Sequence, residues 1–458
     1  MSAGSDAGTW LSEEQLRSRR PRYLVGVALL IASAVFHQPL LFIAGLLALA
    51  LAAIPELWYR FCFAGLVYKR QLSERRVFFG ETITVRLSVE NRKPLPLPWL
   101  EVEDEFPDAL TIQGGRLERT LKPRRVLLVT TLSLWWYQRV SRRYHVQCAA
   151  RGVFTLGPLQ LRSGDPFGLL TREQRLEQQD TFLVYPLVLP IERFGLPSHH
   201  PFGERRAPRR LLEDPTRVIG VRDWQPEDDL RRVHWSATAR AMRLQSKVYE
   251  PTTTYTLALF VNVNTFANPV LGINPPLLEL TISAAASVAS WATGQGYAVG
   301  LYSNGLQALK EADEEDAPVI SAERAADARQ AMRVRLLPAS RPEQLPRILE
   351  SLARLIPYFG SPMEEMLATE QRSLPVGSTI VVVSAAAAVN PAQVSMLLQM
   401  QAHGHAVALL LSGNAPLDAP GLPIYRLGAE EVWHEIVAQA TRPESAQAAE
   451  AGQRFLLA

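Results

Sequence analysis

Asp228, Asp229 and His234 are the residues of this 458-residue chain best suited by type and spacing to move a proton. Histidine titrates near neutrality, and a carboxylate can orient it. Around them stand Arg222, Trp224, Arg231, Arg232, Trp235 and Arg240, in a stretch running from Arg217 to Glu250. Such a set allows three roles: acid–base chemistry, an ion-pair network joining domains, or a surface that docks a partner. Structural ion pairs imitate active sites. No serine or cysteine nucleophile motif, Walker loop, glycine-rich dinucleotide loop or histidine-rich metal motif accompanies the cluster.

Other chemistry is thinly represented. His199-His200 lies in a proline-rich loop with no carboxylate or cysteine at ligand spacing, so it carries no metal site. Cys62 and Cys148 are the only cysteines. They exclude a disulfide framework and a multi-cysteine zinc site, and they suit a reducing compartment. Net charge is +3, from 48 basic and 45 acidic residues, too balanced for a nucleic-acid partner. No cofactor is expected.

The elements that must position the cluster are readable. Pro226, Glu227, Asp228 and Asp229 resemble a helix start, with proline in the first turn and acids at the positive end of the dipole. Leu230, Val233, Ala237 and Ala241 recur at helical spacing. These predict a helix near 227–242 with Trp235 packed in the core. On it Asp229 shares a face with Val233, and His234 with Leu230, so only a tertiary contact brings acid to ring. Arg243 to Glu250 is expected to be extended, and Leu257 to Val263 to be a buried strand.

Arg222, Trp224, Pro226, Asp228, Asp229, Arg231, Arg232, Val233, His234, Trp235, Thr238, Ala239 and Arg240 carry a resemblance. Their order is similar to the signature of the prokaryotic family called domain of unknown function 58. Two positions depart from it: Glu227 where the family has glycine, and Trp224 where it has tyrosine. Arg151-Gly152-Val153-Phe154 and Asp165-Pro166-Phe167-Gly168-Leu169 also resemble the segment preceding that signature, although turn chemistry accounts for both. The resemblance implies a membrane-anchored interaction or scaffold protein associated with a MoxR-type AAA+ ATPase. The alternative is an enzyme of unknown reaction built on Asp228, Asp229 and His234.

From Thr256 onward, strand and helix candidates alternate. Strands are expected at Leu257–Val263, Tyr297–Tyr302, Thr379–Val383, Ala406–Leu411 and Pro423–Leu427. Helices are expected at Leu277–Ala292, Pro342–Tyr358, Pro391–Ala402 and Ala429–Gln439. Alternation implies a mostly parallel sheet covered on both faces. The order resembles a von Willebrand factor A-type domain, in which the first strand ends in an Asp-x-Ser-x-Ser loop that helps bind magnesium. Here that loop reads Asn262-Val263-Asn264-Thr265-Phe266, and Ser384-Ala385 follows the strand where a later aspartate would stand. Magnesium is usually held through carboxylates, so the site is read as degenerate at Asn262 and Asn264.

The remaining chain sets the frame as a multidomain protein. A polar tail, 1–22, precedes apolar runs at Tyr23–Phe36 and Leu40–Ile54, broken by His37, Gln38 and Pro39. They are read as a transmembrane helical hairpin over 23–60. Arg17, Arg19, Arg20 and Arg22 lie on one flank and Arg60, Lys69, Arg70, Arg75 and Arg76 on the other, with no basic residue in the connector. The positive-inside rule then puts both flanks in the cytoplasm, making a multi-pass protein of the cell membrane in contact with lipid. Residues 61–170 hold short alternating strands, such as Ile83, Val85, Leu87 and Val89, and predict an antiparallel β-sandwich. Residues 171–216 are proline-rich and predict a connector whose Arg205, Arg206, Arg209 and Arg210 suit anionic lipid. Residues 217–440 hold the signature and the α/β domain, and 441–458 a frayed tail.

Overall fold

The computed structural model describes residues 20–168, 170–197, 202, 212–226, 228–252, 255–268, 271–307, 333–356 and 362–441. The tail before residue 20, His199-His200, the arginines at 205–210, Glu227 and the tail after 441 lie outside the described residues. The chain divides into two compact units.

The first unit opens with helices α1 (Arg20–Phe36) and α2 (Pro39–Phe61). They run antiparallel. A side chain at Gly26 would meet Leu49, and one at Gly45 would meet Leu30, so two glycines let the helices approach closely. Tyr23 Oη donates to the Ala52 carbonyl across the pair. Among the described helices, α2 is long and apolar enough to cross a membrane, whereas α1 is shorter.

The chain then forms β1 (Leu66–Leu72), β2 (Arg76–Val77), β3 (Thr82–Asn91), β4 (Leu97–Pro107), β5 (Thr111–Gln113), β6 (Arg116–Arg119), β7 (Arg125–Leu134), β8 (Arg139–Gln147), β9 (Gly152–Leu156), β10 (Leu159–Gly164), β11 (Thr171–Leu176) and β12 (Asp180–Val184). In the first unit these make two antiparallel sheets, ordered β1-β3-β8-β5 and β11-β10-β4-β7-β6. Ile83, Val85, Leu87 and Val89 are buried on one face of β3, as the alternation predicts. Side chains meet between the sheets: Thr130 and Tyr144 share a hydrogen bond of 2.7 Å, and Tyr68 Oη donates to Asp104 at 2.9 Å.

Arg70 departs from the sequence reading. Counted there among the flanking charges, it is buried in this unit. Its guanidinium meets Asp104 at 2.5 Å and Asp180 at 2.8 Å and donates to the carbonyls of Leu156 and Gln178. The chain turns a tight corner at Asp165–Gly168. Asp165 is fully buried, and its carboxylate accepts the backbone N–H of Phe167 and of Leu170.

The second unit contains a ribbon of β13 (Leu212–Asp223) and β14 (Gln245–Thr252), with a short helix α3 (Trp235–Ala241) between them. The α/β region follows with β15 (Thr256–Val261), α4 (Pro275–Gly294), β16 (Ala298–Gln307), β17 (Arg333–Ala339), α5 (Gln344–Ala353), β18 (Leu355–Ile356), α6 (Met363–Gln371), β19 (Thr379–Ala385), α7 (Pro391–Ala402), β20 (Ala406–Ser412), β21 (Ile424–Gly428) and α8 (Glu430–Ala440). The sheet runs β17-β16-β15-β19-β20-β21, parallel except that β17 and β18 pair antiparallel with β16. The stretch expected to be a connector supplies part of this unit's core: Tyr185, Leu187, Ile191, Phe194 and Leu196 are buried there. Arg151 is nearly buried too. It donates to the carbonyls of Leu352, Ala353 and Leu355 at the end of α5 and pairs with Glu279.

Candidate functional site

The predicted helix over 227–242 does not form as one element. Asp229 caps a single 3₁₀ turn, Leu230–Arg232, by accepting the Arg231 N–H. Val233 is then extended and buried, and it bridges to Ser246 of β14. A second cap follows, in which His234 Nδ1 accepts the Ala237 N–H at 3.2 Å and α3 begins. One extended residue thus splits a pattern whose apolar spacing read as continuous. Met242 ends α3 in the left-handed region.

This arrangement assigns each signature residue a place. Arg222 pairs with Asp228 at 2.5 Å, and the Gln225 N–H donates to the other carboxylate oxygen at 3.0 Å. The Gln225 N–H and the Arg222 guanidinium hold the Asp228 carboxyl below the usual carboxylate range. Asp223 is held by Gln245 and by Arg243. Asp229 is a turn cap. His234 Nδ1 faces the Ala237 N–H and the Ser236 hydroxyl, which places a neutral ring's proton on Nε2. The carboxylates and the imidazole are therefore engaged separately, with backbone caps and arginines, and not with one another. Trp224 is half-buried; its backbone N–H donates to Leu244 O. Arg231 and Arg240 are exposed, and Arg232 is half-buried.

Trp235 is the clearest correction. Expected in the core, it is 70% exposed, and α3 buries none of its residues. Leu230 and Met242 beside it are exposed as well. Among the signature's large apolar residues, Val233 is buried, Trp224 is half-buried and Trp235 is exposed.

A second constellation lies at the carboxyl ends of the parallel strands. Counting β15, β16, β17, β19, β20 and β21 as one to six, the sheet order is 3-2-1-4-5-6. The order reverses between β15 and β19, which is where open α/β sheets place ligands. Asn262 follows β15 and Ser384 is next to last in β19, and the structure joins them: Asn262 Nδ2 donates to Ser384 Oγ at 3.0 Å. Asn262 Oδ1 accepts the Asn264 N–H at 3.1 Å and Asn304 Nδ2 at 2.9 Å. Asn304 Oδ1 in turn accepts the Val263 N–H. Asn262, Asn304 and Ser384 are buried. Magnesium does not fit these residues. Each polar atom of the Asn262 side chain is already bonded, and the ligands on offer are neutral amides and hydroxyls, not carboxylates. Among the described residues, no three of His, Cys, Asp and Glu converge on one point. Sequence reasoning missed Asn304. Its signal was an amide directly after the apolar run of strand β16, Ala298–Tyr302, and Ser303.

No family model matches the chain. Over 241 residues it is 23% identical to the uncharacterized protein YeaD of Bacillus subtilis, a match covering 52% of this chain and 56% of that protein. The chain thus spans about half the length of the curated relative it matches. Among solved structures, it is similar to the CARDB domain of a Pyrococcus furiosus protein, at 13% identity and a TM-score of 0.17, over 26% of this chain and 91% of that one. A cohesin module from Clostridium perfringens is similar at 14% identity and a TM-score of 0.19, over 26% and 96%. Likenesses this distant carry no argument about function.

Proposed function

We propose that the protein is a membrane-anchored interaction protein of the domain of unknown function 58 type, working with a MoxR-type AAA+ ATPase and performing no catalysis of its own. In this reading α1 and α2 form a transmembrane hairpin in the cell membrane. The antiparallel sheets are a β-sandwich, and the second unit's α/β region is a von Willebrand factor A-like domain whose metal loop has become an amide network. One feature supports the membrane part. Large apolar side chains such as Leu24, Ile31, Phe42, Leu46 and Leu51 are exposed along both helices, a surface that hydrocarbon would cover.

The observation that carries the interaction reading is Trp235 on α3, exposed as Arg231 and Arg240 are, in a segment whose Asp223, Asp228 and Asp229 are engaged by its own arginines, amide and backbone. Tryptophan and arginine are the side chains that most often anchor interfaces. The test is a crosslinking pull-down from native membranes, scored for an AAA+ ATPase, beside urea unfolding of each variant. Trp235→Ala should leave stability within about 0.5 kcal/mol, as surface changes do, and abolish the pull-down. Loss of stability in step with loss of capture would sink the docking reading.

A further inference from the structure

Three aromatic rings in a row stand exposed in the short turn between β7 and β8. Trp135, Trp136 and Tyr137 are 59%, 57% and 68% exposed. The two indoles meet edge to face at 5.1 Å. Nothing in the proposed activity uses them. A soluble hairpin with a turn this short has no folding reason to present so much apolar surface.

Their position supplies the reason. The turn is tied to the end of α2 through the loop between β3 and β4, within one compact unit. Asn91, fully buried, donates through Nδ2 to Leu95 O and to Trp135 O, both at 2.9 Å. The Asn91 N–H donates to Gln138 O, and the Tyr137 N–H to Lys93 O. That loop is in turn fastened to the helix. Trp58 Nε1, in the last turns of α2, donates to Pro96 O at 2.9 Å, and Lys93 Nζ donates to Cys62 O at 2.7 Å. The Arg92 N–H donates to Gly65 O. The aromatic turn and the helix end are therefore one hydrogen-bonded block.

The chemistry at that level is interfacial. Trp58 and Tyr59 close the apolar helix, and the Arg172 guanidinium lies over the rings of Tyr59 and Phe63. Arg92 and Arg139 flank the turn, held by Glu90. Tryptophan and tyrosine, each an apolar body with a polar tip, collect where hydrocarbon meets headgroup.

We propose that the Trp135-Trp136-Tyr137 turn inserts into the headgroup region of the bilayer beside the end of α2. It would be a second membrane contact that sets the β unit against the lipid. This rests on the reading of α2 as a transmembrane helix, and the test separates the two.

The full chain is reconstituted in protein-free liposomes with a thiol-reactive fluorophore at Trp136→Cys. Cys62 and Cys148 are buried, and the unsubstituted chain measures their background. Lipids carrying a nitroxide near the headgroup are then added as quencher. Gln113→Cys, exposed on β5, is the far-side control. It pairs with β8 at His145, about six residues and so ~20 Å along the strand from Arg139. Leu47→Cys in α2, tested with a nitroxide on the acyl chain, reports the helix itself. Most of the emission at 136 should be lost while that at 113 is kept. Trp135→Cys should repeat the result, so one misfolded variant does not decide it. Quenching at 47 with none at 135 or 136 overturns the inference and leaves the transmembrane reading standing. Quenching at none of these positions overturns both. Equal quenching at 113 and 136 also overturns it, because the sheet would then lie along the surface without a specific anchor.

Discussion

Arg70 shows at the scale of one residue how a formal charge misleads. In the sequence it sits among Lys69, Arg75 and Arg76 and reads as part of a basic flank. Its neighbours are exposed, and it alone points inward, to Asp104 and Asp180. Strand alternation is the cause: Tyr68 and Arg70 share the buried face of β1, while Lys69 and Gln71 take the other. The pair is closed by Tyr68, whose hydroxyl donates to Asp104 and whose pKa is pushed well above the usual phenol range by burial. Arg70→Met keeps the volume and strands Asp104, which is fully buried, without its cation. Removing one member of a buried pair costs about 3–5 kcal/mol. Urea unfolding of the full chain in detergent micelles should show a loss of that size. A change within the range of an exposed lysine substitution, tested at Lys69→Met, would mean that water reaches the pair.

Among the elements, what was legible followed from how much of each one is buried. The parallel strands β15, β19 and β20 are covered on both faces, so they read as continuous apolar runs and were located to within a residue or two. Helix α7 was legible from its cap: Asn390 accepts the Gln393 N–H, and Pro391 begins the helix. The edge strand β17 was not, since its two arginines, half-buried Arg333 and exposed Arg335, and Pro338 hide the alternation. The signature failed differently. Its apolar spacing is helical, yet only Val233 is buried, so the periodicity reports no packed face. The asparagine loop was half legible. Asn262 and Ser384 were placed as a pair of substituted positions, but the amide of Asn304 that closes the network comes from a strand where sequence shows no loop. That network makes a prediction. Millimolar Mg²⁺ should leave the melting temperature of the full chain unchanged, because a ligand that does not bind the native state cannot shift unfolding. A clear rise that disappears with Asn264→Ala would show that the loop still holds the ion.

For the whole molecule, the question is which side of the membrane each end occupies. In the proposed hairpin, the antiparallel packing of α1 on α2 returns the chain to the side it came from. Gly26 against Leu49 and Gly45 against Leu30 fix that packing, since a side chain at either glycine would collide with its neighbour. Removing Arg70 from the flank, as its burial requires, weakens the charge count but does not reverse it. Arg60 in the last turn of α2 and Lys69, Arg75 and Arg76 after it remain exposed, and the connector His37-Gln38-Pro39 carries no lysine or arginine. The positive-inside bias counts lysine and arginine near the span ends, so both flanks still favour the cytoplasm. Reporter fusions after residue 70 and after residue 458 should therefore both report the cytoplasm, and a tag at residue 5 should agree with them. Opposite locations for residues 5 and 458 would rule out the hairpin and require one continuous span. Gly45→Leu sharpens the test. If the glycine contact holds the two helices together, this change should weaken the pairing while leaving every charge in place and making α2 only more apolar. An altered reporter pattern would then trace topology to helix packing, and an unaltered one to the charges alone.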